Sequence, residues 1–505
     1  MRLTKYILMA GVGILALASC SKNFIDGVKP TDGSLSSSII FNSKIGVDNA
    51  LTGIYENIRD YIPSTGRQNM YGWKTSLLNF DMRGNDLISD PANWWLYENN
   101  WTDNAYGRIT TSARNLQIWA LNYKVINNAN AVIAGVPGIP EAQSVKDAFI
   151  GEAEALRAWA YFNLVRIYQF TYSKDTTAPG VPIYLEPSGS TTSGNPRAHV
   201  SAVYAQIVKD LEDAVSKMTS TRVDKYRINK DVAQGILAEV YLEMAPADNS
   251  LWAKAASNAQ AAFANYALMD SLGCRDGFNS VSNTEWMWGL QFNASQSYSY
   301  AGFFGYIEPD SSVHLHLGGV DYHIIDGERY NDLYVNTSFV NLFTNTDARN
   351  MFAPASNQSS SSPWKKWVTL KFRDNASQSG DYVMMRGAEM VLIQAEALAQ
   401  QGQQQPAIDM LYTLQHARDP KAVKSTAPDK QTLINQILVE RRKELYGELG
   451  VPYFDMKRYQ LPLVRDGNQW STLNIPATDN RWRWQIPQSE LDANKSLTTA
   501  DQNPL

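Results

Sequence analysis

A short stretch between residues 86 and 101 combines several aromatic rings with small polar side chains. Sugar rings have flat faces of C–H groups that stack on tryptophan or tyrosine, and hydroxyl groups that bond to aspartate, asparagine, arginine or glutamine. The stretch offers both kinds in one run: Asp86, Asn93, Trp94, Trp95, Tyr97 and Trp101. We therefore predict that these six residues contact a ligand.

The same aromatic residues have a second interpretation, because tryptophan and tyrosine are also common in protein cores. They could pack this stretch onto the body of the protein instead of facing a ligand. Trp94 and Trp95 are adjacent, however, and neighbouring side chains of an extended segment point in opposite directions. We expect at least one of these two rings to be exposed.

Carboxylates near residue 440 raise the question of catalysis. Glu440 and Glu444 are one helical turn apart, with Arg441 and Lys443 between them, and we interpret this pattern as salt bridging. A glycosidase needs two carboxylates about 5–10 Å apart across the scissile bond, and spacing in sequence does not establish such a pair. Known nucleophile, phosphate-loop and calcium-loop motifs are absent from the sequence. The sequence favours a non-enzymatic protein without a cofactor.

One group of residues resembles a set of metal ligands. His314 and His316 would share a face of a strand, and Asp321 and His323 follow shortly after. Nothing else in the sequence completes a recognised metal motif, so we interpret these residues as loop histidines and predict no metal site.

Composition excludes some classes of function. The 505-residue chain has a formal net charge of −5 and a pI near 5.7, which argues against nucleic-acid binding. Its two cysteines are Cys20 and Cys274. A disulfide framework is therefore not expected, and stability must come from packing.

The first 19 residues have the pattern of an export signal. Arg2 and Lys5 precede a short apolar run, which ends with Leu17, Ala18 and Ser19 before Cys20. This pattern resembles a bacterial lipoprotein cleavage site, in which the cysteine becomes the lipid-carrying N-terminus. We predict a signal peptide at residues 1–19, lipidation of Cys20 and a tether at residues 20–45. No later apolar run is long enough to cross a membrane.

Helical periodicity dominates the remaining chain. Residues 151–168 are apolar on most of their circumference, which predicts a helix surrounded by other helices. Further periodic segments follow at helical spacing, and their alanine-rich pairs resemble tetratricopeptide units. Residues 63–108 and 270–380 interrupt the rhythm with glycine, asparagine and short alternating runs. We predict a mostly α fold: one domain over residues 46–505, with tetratricopeptide-like helix pairs as scaffold and two loop-rich, partly β regions carrying function.

The order of several motifs resembles the SusD/RagB family of outer-membrane nutrient-binding lipoproteins. The strongest similarity is the run from Gly151 to Tyr168, followed by Gly180-Val-Pro182. The similarity extends over nearly the whole mature chain through these further matches: Cys20 with Phe24-Ile-Asp26, Tyr382 to Arg386, Glu440 to Leu445, Phe454 to Arg458, and Gln502-Asn-Pro504. The departure is Glu448-Leu-Gly450, where the family more often has Glu-Gly-Arg.

The resemblance implies a lipid-anchored protein at the outer membrane that faces the cell exterior and serves a SusC-like TonB-dependent transporter. Most such proteins deliver oligosaccharides, whereas a minority, typified by RagB, serve peptide uptake. Family sugar sites use both a loop corresponding to residues 63–108 and the later insertion, where Tyr298 and Tyr300 are the candidates here. A glycan-binding uptake protein is thus the leading hypothesis, with peptide binding and a surface glycosidase as alternatives.

Overall fold

The computed structural model describes residues 40–64, 66–102, 107–189, 191–296, 302–324, 333–465 and 467–505. The predicted signal peptide, Cys20, and the candidate ligand residues Tyr298 and Tyr300 lie outside these ranges. Among the described residues, no helix is both long and apolar enough to cross a bilayer.

Helices form most of the described structure. Their bounds are α1 Lys44–Asp60, α2 Gly72–Met82, α3 Leu96–Asn99, α4 Ala113–Gly135, α5 Gln143–Tyr168, α6 Val200–Lys217, α7 Lys230–Met244, α8 Leu251–Phe263, α9 Phe303–Ile307, α10 Thr337–Val340, α11 Gly387–Gln400, α12 Gln404–Arg418, α13 Lys430–Leu445, α14 Val451–Arg458 and α15 Gln488–Ala493. Helices α4 to α8 pack on one another in chain order, then α8 packs on α11 and α11 on α12. The predicted mostly α scaffold of helix pairs is confirmed.

Helix α5 lies inside this scaffold, as its apolar circumference predicted. Its residues from Gly151 to Val165 are all buried. On one side, Arg157 forms a two-pronged ion pair with Asp210 of α6, with N–O distances of 2.7 and 2.8 Å. On another side, the Trp159 ring meets Trp73 of α2 edge-on, at a centroid distance of 5.4 Å. Helix α5 therefore joins the helix pairs to the loop-rich part of the protein.

One helix contradicts the sequence prediction. Residues 63–108 were expected to be mostly loop, yet they contain α2, in which every residue is buried. A helix that is covered on all sides retains polar residues such as Lys74 and Asp81 without an exposed face, so it has no amphipathic period to detect. Near the C-terminus, α14 begins at Val451, directly after Gly450 in a left-handed conformation with φ of +67°.

The strands are short and lie mainly in the predicted loop-rich regions. Their bounds are β1 Leu87–Ser89, β2 Pro179–Pro182, β3 Arg197–His199, β4 Trp286–Leu290, β5 His314–Leu317, β6 Val320–His323, β7 Leu333–Val335, β8 Phe352–Pro354, β9 Trp367–Thr369, β10 Tyr382–Arg386, β11 Leu463–Val464 and β12 Asn474–Ile475. One antiparallel sheet has the order β1-β7-β9-β8. Because β1 pairs with β7, with Ile88 opposite Tyr334, this sheet unites the two loop-rich regions.

A buried cluster of charges connects these strands to the C-terminal helices. Arg386, at the end of β10, bonds to Glu285, Glu444 and Glu448 at 2.6–2.8 Å. Arg418 bonds to Glu285 and Glu444 as well. Glu440 and Glu444 therefore do not pair with Arg441 and Lys443 as the sequence suggested, since Arg441 bonds to Asp455 and Lys443 to Asp347.

The charge cluster sets the acidity of its members. Burial alone would raise the pKa of Glu448, but the Arg386 guanidinium and the Lys371 ammonium outweigh it and lower the pKa to about 2. The same surroundings hold the pKa of Glu444 well below its usual range, because Arg418, Arg386 and Arg349 outweigh its desolvation. Both carboxylates are therefore charged at neutral pH, although they are fully enclosed.

Replacing Arg386 with methionine should destabilise the protein strongly. The variant retains most of the side-chain volume but leaves three buried carboxylates without their shared cation, so we expect a loss of about 3–5 kcal/mol in the free energy of unfolding. Urea unfolding measures this loss. Lys209→Met, which breaks an exposed pair with Asp213, is the control and should change stability little. Equal effects of the two variants would contradict the structural role of the cluster.

The lowered pKa of Glu448 predicts a pH dependence of stability. The charged form is favoured in the folded state, so its contribution is complete above the ordinary pKa of about 4.5 and is lost as the pH falls toward 2. Glu448→Gln should therefore be less stable than the wild type by about 3 kcal/mol at pH 7. Unfolding at pH 3 should show a smaller difference, and a difference independent of pH would contradict the assignment.

Candidate functional site

A surface recess lies where the stretch from residue 91 to residue 97 faces the start of α4. Its volume is about 390 Å³, within the usual range of small-ligand sites. Two elements form its opposite sides: the segment after β1, and the turn that precedes α2. The lining residues are Arg67, Asn69, Met70, Pro91, Ala92, Asn93, Trp94, Leu96, Tyr97 and Arg114. Three predicted ligand residues, Asn93, Trp94 and Tyr97, thus line one recess.

The two aromatic side chains of the recess are partly exposed. Trp94 and Tyr97 are both half-buried, so each ring combines a packed part with an accessible part. Both rings line the same recess. Trp94 lies just before the short helix α3, Trp95 is the N-cap residue of that helix, and Tyr97 lies within it. Partly exposed rings of this kind suit stacking on a flat apolar surface.

Two amide groups hold the segments that line the recess in place. Asn69 is buried and donates from Nδ2 to the Trp94 carbonyl at 3.0 Å, while Asn93 Oδ1 accepts from the Trp95 N–H at 3.2 Å. Within the described part of the chain, Asn69 Oδ1 and Asn93 Nδ2 have no hydrogen-bond partner. Because both atoms are also inaccessible to solvent, they lie beneath the surface of the recess rather than on it.

The segment that carries Trp94 is held at several points. Trp470 Nε1 donates to the Ser89 carbonyl at 2.7 Å, at the end of β1. Asp90 Oδ1 accepts the Ala92 N–H at 2.9 Å and so forms a turn just before the recess. Arg114 pairs with buried Glu98 and donates to the Asn69 carbonyl at 3.0 Å. Both sides of the recess are thereby fixed to α4.

Trp95 is not a ligand residue, because the protein encloses it completely. Its side chain is 0% exposed, and its ring meets Tyr306 of α9 edge-on at 5.5 Å. The Arg114 guanidinium lies 4.7 Å from the centroid of the same ring. Adjacent side chains diverge here as expected, and Trp95 fastens the first loop-rich region to the second.

Trp101 and Asp86 are also too buried to contact a ligand, contrary to the prediction. Trp101 is 1% exposed, donates from Nε1 to the Arg83 carbonyl at 3.0 Å and packs on Trp482. Its φ of +53° is unusual for a residue with a side chain. Asp86 is 1% exposed and accepts from Arg442 Nε of α13 at 3.0 Å. These two residues therefore attach the two ends of the predicted stretch to the C-terminal part of the chain.

Sequence reasoning missed the residues that form the opposite side of the recess. Arg67, Asn69 and Arg114 lie outside the aromatic stretch and reach it only through tertiary contacts. No spacing rule connects Asn69 with Trp94, which lies 25 positions later. Tyr298 and Tyr300 remain predictions, because they fall outside the described residues.

Three other cavities are less suited to a sugar. A recess of about 330 Å³ lies beside Tyr123, Tyr184 and Glu490, and one of about 460 Å³ lies between α1 and the loop at Arg227. Both lack a tryptophan. A cavity of about 70 Å³ within the helices contains Glu239, Glu243 and Glu389, and burial raises the pKa of all three. That space is too small for a sugar ring, so these carboxylates do not form a glycosidase site.

Two family models match the chain. The model described as starch-binding associating with outer membrane matches residues 25–242, and the model of the SusD family matches residues 344–505. Among curated proteins, SusD-like protein P38 of Formosa agariphila is 26% identical over 377 residues, which cover 67% of this chain and 71% of that protein.

Solved structures extend the similarity to the whole fold. A SusD-like carbohydrate binding protein from Bacteroides vulgatus has a TM-score of 0.76 and 27% identity, covering 92% of this chain and 99% of its own. A SusD superfamily protein from Bacteroides thetaiotaomicron has a TM-score of 0.75 and 24% identity, covering 92% and 100%. The matched segments include both ends of the helical scaffold and the strongest motif, on α5. The chain belongs to the SusD/RagB family.

Proposed function

We propose that this protein captures oligosaccharides at the cell surface and passes them to a partner SusC-like TonB-dependent transporter, without catalysing a reaction. Its family is described by starch binding at the outer membrane, and a relative of similar fold is described as carbohydrate binding. The observation that carries the proposal is the recess in which the partly exposed rings of Trp94 and Tyr97 lie together with polar Asn93 and exposed Arg67.

The chemistry of the recess supports a sugar over an apolar ligand. A sugar ring placed on Trp94 would bury its C–H face, while its hydroxyl groups would face the polar margin of the recess. The exposed Arg67 side chain adds a cationic group at this margin, whereas Arg114 is buried and paired with Glu98. Because hydroxyl desolvation offsets much of the hydrogen-bond gain, the affinity of a single recess should be modest.

Attachment to the outer membrane is part of the same proposal. The sequence Leu17-Ala-Ser-Cys20 supports lipidation of Cys20, and the tether that follows would let the protein stand away from the membrane on the exterior side. An anchored receptor of this kind raises the local concentration of ligand near a transporter. Purifying the native complex from membranes and identifying its partner tests the transporter assignment.

Replacing Trp94 with alanine should weaken oligosaccharide binding about tenfold or more, equivalent to about 1.4 kcal/mol, because the stacking surface is lost. Calorimetry with the purified full chain measures the affinity, and thermal unfolding should change little. Tyr412→Ala, which removes a half-buried ring on α12, is the matched control and should leave binding intact. Selective loss of binding in the control variant would place the site elsewhere.

Trp101→Ala should have the opposite profile. Because Trp101 is enclosed by the protein, its truncation should cost about 3–5 kcal/mol of stability. Stability loss without a selective binding defect in the folded fraction is the expected result. A stable Trp101→Ala protein that no longer binds sugar would show that this ring contacts the ligand after all.

A panel that contains both oligosaccharides and peptides separates the two uptake functions of the family. We expect binding to oligosaccharides, and this binding should fall in Trp94→Ala. Binding only to peptides would overturn the sugar proposal in favour of the RagB type. Release of new reducing ends from a bound oligosaccharide would instead show a glycosidase.

A further inference from the structure

A two-stranded hairpin near the sheet concentrates histidine in one place. Strands β5 and β6 are joined by Gly318 and Gly319, whose φ values of +58° and +82° fit a two-residue turn with both positions left-handed. The hairpin carries three of the five histidines of the chain: His314, His316 and His323. All three are exposed.

The register of the hairpin places four polar residues on one face. His314 is directly opposite His323, and His316 is directly opposite Asp321. Opposed residues share a face, as do residues two positions apart on a strand, so these four side chains point the same way. The sequence alone suggested this relation for His314 and His316 only, since the pairing partner was unknown.

The opposite face of the hairpin is anchored. Tyr322 is buried in a small core with Ile88 of β1 and Tyr334 of β7, and Leu315 and Leu317 pack against it. The Arg373 guanidinium lies 5.2 Å from the Tyr322 ring centroid. The histidine face is therefore held outward by a fixed apolar face rather than carried on an unattached loop.

Distances within the outward face approach those of a metal site. Asp321 Oδ2 lies 3.0 Å from His314 Nδ1 and 3.8 Å from His323 Nδ1, and Asp321 Oδ1 lies 3.9 Å from His316 Nδ1. One ligand atom from each of His314, Asp321 and His323 lies within 4.8 Å of the others. In a tetrahedral zinc site with bonds of about 2.0–2.1 Å, neighbouring ligand atoms are about 3.3 Å apart.

The side chains have room to reach that spacing. The rings of His314 and His323 are stacked, with centroids 5.4 Å apart and planes inclined by 23°. Each of the four side chains is about half exposed or more, so small rotations about their side-chain bonds meet no packed neighbour. A carboxylate between three imidazoles offers the nitrogen and oxygen donors that zinc, copper and nickel ions prefer.

We propose that this face of the hairpin binds a divalent transition-metal ion of the zinc class through His314, Asp321 and His323, with His316 as the fourth ligand. A bound ion would link β5 to β6 across the strand pair. The site shares no residue with the recess at Trp94, so sugar binding and metal binding are separable.

Calorimetry with zinc chloride and untagged protein, previously treated with a chelator, tests the proposal. We expect one zinc ion per chain. His323→Ala and Asp321→Asn should each weaken zinc binding about tenfold or more, since each removes one of few ligands. His416→Ala, which removes an exposed histidine on α12, is the matched control and should bind zinc as the wild type does.

Hydrogen exchange locates the bound ion. Zinc should slow amide exchange in peptides that span residues 313–324, and excess chelator should reverse the effect. The hairpin variants should retain wild-type sugar affinity and thermal stability in the absence of zinc, because the substituted groups are exposed. Absence of zinc binding in the wild type, or binding that survives the double variant His314→Ala/His323→Ala unchanged, would overturn the proposal.

Discussion

Arg386 places a guanidinium group, 1% exposed, among three carboxylates that come from distant parts of the chain. Such a charge is tolerated inside a protein only when its partners compensate the lost hydration. Glu285 precedes β4, Glu444 lies on α13, and Glu448 follows that helix. The charge cluster therefore requires β4, β10 and the C-terminal helices to meet in one arrangement. Separating any partner would leave a buried charge without its counterion.

The segment that carries Glu448 of the charge cluster also bonds to α2, the helix between the two segments that line the recess. The Glu448 carbonyl accepts from Lys74 of α2 at 2.8 Å, and Asp81 of α2 accepts from the Gly447 and Gly450 N–H groups at 3.1 Å. Helix α2 leads directly to β1 and then to the stretch that carries Trp94. These bonds fix α2 relative to the end of α13, and α2 in turn positions the segment that carries the partly exposed rings.

Patterns in the sequence predicted the scaffold better than they predicted the site. Residues 151–168 have an apolar circumference that fits a central helix, and they form one. Helix α2 escaped detection because complete burial removes the polar face that creates a period. In the candidate site, composition identified the right stretch, but it did not distinguish Trp94, which lines the recess, from Trp95, which packs on Tyr306. The sequence also did not show which of the hairpin histidines share a face, because the strand register decides this.

The long separation between α2 and its partners has a consequence for biogenesis. Helices α4 to α8 can cover one another as they emerge, because each packs on its neighbour in sequence. Helix α2 is made early, but Lys74 finds its acceptor 374 positions later. The contacts that hold α2 are therefore completed only when nearly the whole polypeptide has been synthesised, and a prematurely terminated chain would lack them.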